Sequence, residues 1–188
     1  MFEIRRARRG ITLLELMMSI MLISAMLVAV WAVYYTGYQI FFSQSSRENI
    51  KAQASTAFLT MTEELHQATV LDSATYPPTS LSITFTADLK SDGNPQTIQY
   101  VWSGVAGQPL NRNIIVGGVV TQTIQLVRSV NNPVPLINNP LFNYFGANNT
   151  ALGTTPTASQ VRLVAIDLYT TSGSETFHIR TKVQLRCI

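Results

Sequence analysis

Arg5-Arg6-Ala7-Arg8-Arg9-Gly10-Ile11-Thr12-Leu13-Leu14-Glu15 opens a stretch in which no further charge occurs until Arg47. A basic leader ends in a glycine, and the apolar segment after it carries one carboxylate, Glu15. A secretory signal has its small residues beyond the hydrophobic core, where it is cut. Here the obvious processing point, Gly10, precedes the core, so cleavage would leave the apolar segment attached to the mature chain.

Leu16 to Tyr35 is an uncharged run of 20 residues. As a helix it spans about 30 Å, the thickness of a hydrocarbon core. Four leader arginines place the N-terminus on the cytoplasmic side by the positive-inside rule. Trp31, Tyr34, Tyr35, Tyr38, Phe41 and Phe42 gather at the other end, as an aromatic belt at the outer interface would. The helical pattern then continues: Ile50, Ala54, Phe58, Met61, Leu65 and Ala68 recur at steps of three or four. Gly37 is the only glycine inside the stretch, and the first prolines after the leader are Pro77 and Pro78. The spacing predicts one helix from about Ile11 to Leu71, roughly 90 Å long, whose second half packs one stripe onto a domain.

From Leu81 the period becomes two. Leu81, Ile83 and Phe85 alternate with Ser82, Thr84 and Thr86, and Ile98, Tyr100 and Trp102 mark the next strand. Gly117-Gly118 sits between two β-branched runs within Ile114 to Val127 and predicts a hairpin. Val161–Thr170 and Glu175–Arg186 flank Ser172-Gly173, and the last strand places Phe177, Ile179, Val183 and Leu185 on one face. His178, Arg180, Lys182 and Arg186 take the other, as in a one-sided antiparallel sheet. Residues 131–156 read as an irregular excursion whose Leu141, Phe142, Tyr144 and Phe145 return to the core. The expected class is α+β: a long N-terminal helix with a transmembrane first half, packed by its C-terminal half on an antiparallel β-sheet domain, a lollipop. The expected layout is a cleaved leader over 1–10, a transmembrane or filament-core helix over 11–35, its amphipathic continuation over 36–75, and a globular β domain over 76–188.

Composition narrows the function. Hydrophobic residues make up 46% of the 188 and charged residues 12%, so the core is well supplied and the surface relies on uncharged polar groups. The pI near 9.2 suggests a nucleic-acid partner. The net charge is +3, and the first ten residues supply all of it through four arginines against Glu3. A mature chain of zero formal charge has no electrostatic footprint for phosphate backbones, so direct nucleic-acid binding is not expected. The single Cys187 excludes an internal disulfide. Asp88 and Asp92-Gly93-Asn94 lack the ligand spacing of a calcium loop and read as a hairpin turn. His66 and His178 have no second ligand at metal spacing and read as surface or rim residues. Asn148-Asn149-Thr150 matches a glycosylation acceptor, a motif frequent by chance. With no nucleophile elbow and no Gly-rich loop opening a helix, neither enzyme, cofactor nor metal is expected.

The Gly10-to-Glu15 stretch resembles the class III leader of type IV pilins and pseudopilins: a glycine, an apolar residue, Thr, two apolar residues and Glu. Ile11 stands where that family more often has Phe. The resemblance implies that Gly10 is the residue recognised by the prepilin peptidase, Ile11 the N-methylated new terminus, and Glu15 the assembly residue, pairing with the terminal amine of a neighbouring subunit. The physics agrees. A charged side chain among apolar residues costs on the order of 2.5–3.5 kcal/mol at a bilayer centre, so Glu15 needs a partner, and cleavage creates an α-amino group. The helix ending Glu63-Glu64-Leu65-His66-Gln67-Ala68, the Leu141-Phe142-Asn143-Tyr144-Phe145 patch and the closing Val183-Gln184-Leu185-Arg186 look like W-type minor pilins and J-type minor pseudopilins. This implies a non-catalytic subunit priming a type IV pilus or a type II secretion pseudopilus. Its partners would be other pilin or pseudopilin subunits, the prepilin peptidase and an inner-membrane assembly platform. Its location would be the bacterial inner membrane before assembly, and a periplasmic or cell-surface filament afterwards. Two other classes fit the same residues: a filament-tip binding module, such as an adhesin or DNA-uptake subunit, and a plain membrane-anchored structural protein.

Overall fold

In a computed structural model, residues 12–72, 74–89, 93–133, 140–153, 155–172 and 175–186 are described. Thr12 opens a single helix, α1, over Leu13–His66. The chain divides into two compact units, Met1–Ser45 and Ser46–Ile188, and α1 contributes to both. In the first unit its described side chains are exposed throughout. This half is long and apolar enough to cross a membrane.

In the second unit α1 buries Ala54, Ala57, Met61, Glu64 and Leu65, and Phe58 packs half-buried beside them. The spacing is that of one helix face, as the sequence periodicity predicts. The helix ends at His66, short of Leu71. The amide of Gln67 is shared between the carbonyls of Glu63 and Glu64, a bifurcated close. Ala68–Leu71 instead forms strand β1. Its β-branched Thr69 and Val70 suit an extended chain, and pairing with β2 supplies the hydrogen bonds that a fraying last turn would lack.

Strands β2 (Ser82–Ala87), β3 (Gln96–Trp102), β4 (Gln108–Val116) and β5 (Val119–Val130) follow. They pair antiparallel in the order β1-β2-β3-β4-β5. Ile83, Phe85, Ile98, Tyr100, Trp102 and Leu110 are fully buried with Met61 and Leu65 of α1 in one core. The β4–β5 hairpin turns through Gly117 at φ 60° and Gly118 at φ 81°, as the sequence predicts. Both angles lie in the left-handed region that glycine enters freely.

The remaining strands form a second sheet, β6 (Phe142–Phe145), β7 (Leu163–Ser172) and β8 (Glu175–Gln184), in that order. The excursion over 131–156 is thus partly regular. Leu141, Phe142 and Tyr144 are buried as expected, but as a strand that pairs with β7 and carries its backbone polar groups into the core hydrogen-bonded. The two sheets are joined at Asn131 and Asn132. The Asn131 amide donates to the Tyr169 carbonyl at 2.8 Å. The Asn132 carboxamide donates to the Asp167 carbonyl at 2.6 Å and accepts the Tyr169 amide at 3.0 Å. The Asn131 backbone and the buried Asn132 side chain together take the place of a strand along this part of β7.

Candidate functional site

The candidate assembly residue, Glu15, lies in the first turn of α1. The first amides of a helix lack intrahelical partners. Here Glu15 Oε2 accepts the Thr12 amide at 3.0 Å and the Thr12 hydroxyl at 3.2 Å. The Glu15 amide donates in turn to Thr12 Oγ1 at 3.3 Å. This is a reciprocal capping box, with the carboxylate at the positive end of the helix dipole. Its Thr-x-x-Glu spacing is present in the sequence, where the same residues also form the leader motif. Both side-chain contacts fall on Oε2. Gly10 and Ile11, the other two candidate residues, lie outside the described residues, as does Cys187.

A second polar cluster was not anticipated from sequence. Glu64 reaches from α1 to Arg112 on β4, which grips it as a fork: Nε lies 3.1 and 2.9 Å from the two carboxylate oxygens, and Nη2 lies 2.8 Å from Oε1. The Tyr100 hydroxyl donates to Oε2. Tyr100 and Arg112 are cross-strand partners in β3 and β4, so the sheet register itself brings phenol and guanidinium side by side beneath the helix. Burial and the neighbouring Glu64 carboxylate hold the Tyr100 phenol far above its ordinary range. Glu64 also holds the Arg112 guanidinium more firmly protonated, outweighing its burial. Burial alone raises the Tyr144 phenol; its hydroxyl donates to the carbonyls of Thr79 and Ser82. These groups are locked in one protonation state near neutral pH, which suits a structural role.

His178 has a specific partner on its sheet face. Its Nε2 lies 2.5 Å from Asp167 Oδ1, its ring stacks on Tyr169 at 3.9 Å, and Arg180 Nε approaches Asp167 Oδ2 at 3.2 Å. His66 lines an open groove of about 650 Å³ with Glu63, Asp88 and Arg186. The Asp88 carboxylate accepts the Gly93 amide at 3.0 Å, a turn contact. Among the described residues no group of three or more His, Cys, Asp or Glu is placed to hold a metal ion.

Residues 5–31 match the family model for the prokaryotic N-terminal methylation motif. No curated protein and no solved structure matches the chain. The motif match covers the basic part of the leader from Arg5, the capping box and the start of the aromatic cluster, and it supports a protein of the type IV pilin and pseudopilin type.

Proposed function

We propose that the chain is a minor pilin or minor pseudopilin that helps prime assembly of a type IV pilus or type II secretion pseudopilus without catalysing a reaction. The observation that carries this reading is the methylation-motif match over residues 5–31 at the head of one continuous helix. In this account the prepilin peptidase cuts between Gly10 and Ile11, Ile11 becomes N-methylated, and residues 11–35 remain as a span of the bacterial inner membrane. The new amine belongs to the residue that precedes Thr12 in the sequence, and Thr12 itself already occupies Glu15 Oε2. A neighbouring subunit's amine then completes the carboxylate's partners, and that pairing favours the assembled state over the isolated membrane subunit.

The partners are other pilin or pseudopilin subunits, the peptidase and the inner-membrane platform. Minor-subunit status rests on the resemblance of residues 63–68, 141–145 and 183–186 to W-type and J-type proteins. The test is to count surface filaments, and to assay secretion, in the parent organism lacking this gene. The wild-type copy should restore the lost structure or activity and Glu15→Ala should not. Unchanged filaments and secretion in the deletion strain would contradict the priming role.

A further inference from the structure

The aromatic residues after the apolar run are one-sided. At 3.6 residues per turn, Trp31, Tyr34, Tyr35, Tyr38, Phe41 and Phe42 all fall within about 120° of the helix circumference. Their rings follow one another along that side, with centroids 6.2 Å apart from Trp31 to Tyr34, 6.4 Å from Tyr34 to Tyr38 and 4.3 Å from Tyr38 to Phe42. Every one is at least half exposed. Val33, Thr36, Ile40 and Ser43 occupy the opposite side. A belt serving an upright helix would be spread around the circumference in one thin layer. This cluster is a stripe running along the axis.

Depth sharpens the contrast, given the membrane-span reading on which this inference rests. If Leu16–Tyr35 fills the hydrocarbon, an upright helix carries Phe42 about 10 Å past its edge. The headgroup layer is only roughly 5–8 Å deep, so Phe42 would stand in water. Four of the six residues, Trp31, Tyr34, Tyr35 and Tyr38, combine an apolar ring with a polar tip, the chemistry of a layer dry on one side and wet on the other. A dry seam between helices would have to satisfy each of those tips.

The helix also has a place to bend. The Thr36 hydroxyl donates to the Ala32 carbonyl four residues back at 2.8 Å, a contact that tends to curve a helix. Gly37 follows, and apart from its chain neighbours and the surrounding turns of helix backbone no described atom lies within 4 Å of where its Cβ would stand. Internal packing therefore does not require the glycine, while backbone freedom remains as its effect.

We propose that residues 31–42 seat along one face on the headgroup layer of a phospholipid bilayer, so that α1 leans toward its aromatic side as it leaves the membrane. The partner is the lipid surface itself, met before any sister subunit. The test uses the full chain with Cys187→Ser, carrying one nitroxide at Tyr38→Cys, Phe42→Cys, Ile40→Cys or Ser43→Cys, in phosphatidylethanolamine–phosphatidylglycerol vesicles. The ratio of collision with oxygen, which enters lipid, to collision with a water-soluble nickel chelate should be several-fold higher at 38 and 42 than at 40 and 43. Equal ratios on both sides would overturn the proposal, as would labels at 38 and 42 shielded from both reagents, the sign of a protein seam. A label at Met26→Cys separates the premises. Oxygen-dominated collision there with equal ratios at 38–43 sinks the seat alone, and nickel access there sinks the membrane span as well.

Discussion

Glu64, Arg112 and Tyr100 show how a few polar atoms fix the packing of a helix on a sheet. The Glu64 and Arg112 side chains are 11% and 9% exposed, so water has little access to either charge. Truncating one member strands the other. Glu64→Ala should cost about 3–5 kcal/mol of unfolding free energy, measured by denaturant titration of the full chain in detergent. Tyr100→Phe removes one hydrogen bond to a charged acceptor and should cost about 1.5–3 kcal/mol. The two buried phenols, Tyr100 and Tyr144, set the alkaline limit. The folded-state pKa values of Tyr100 and Tyr144 are raised above the unfolded value, so the folded chain holds these protons when the unfolded chain releases them. Their contribution is complete below about pH 10 and falls as pH rises beyond it. Melting temperatures should be flat on this account from neutrality to about pH 10, then drop, with a shallower drop in Tyr144→Phe. Glu64 was not anticipated: it lies on the buried face of α1 beside Met61, but nothing local in the sequence marks it as paired. Its partner lies 48 residues away, and only the strand register reveals that pairing.

Among the secondary-structure elements, those with local chemistry were the readable ones. Alternating Ile98, Tyr100 and Trp102 and the Gly117-Gly118 turn each carry their own evidence, and each appears as expected. Gly118→Ala would force a Cβ into the left-handed region at φ 81°, and should cost about 1–2 kcal/mol in the same denaturant titration. Strands β1 and β6 were missed because four residues do not separate a period of two from one of three or four. Their state is decided by what they pair with. Thr12 and Glu15 were legible as the leader motif, while the capping box they form at the start of α1 emerges only from the structure. Thr12→Ala should leave the helix intact but speed amide exchange in its first turn, seen by hydrogen–deuterium exchange. Unchanged exchange would show that the cap does not hold that turn.

Taken as a whole, the chain joins a lipid-compatible helical unit to an α+β unit with its own core, and the α+β class was legible from the change of period near Leu81. The way the two sheets are joined was not, because it depends on Asn131 and Asn132 reaching β7. The proposed function rests on the other end of the sequence, where eleven residues, Arg5 to Glu15, carry the leader motif. The central claim is that this leader is processed to build an assembly-competent terminus. The direct measurement is mass spectrometry of the N-terminal peptide of the protein recovered from its native cells, with and without the prepilin peptidase. The account predicts a chain beginning at N-methylated Ile11 only when the peptidase is present. A chain still carrying Met1 to Gly10 in peptidase-competent cells would contradict it.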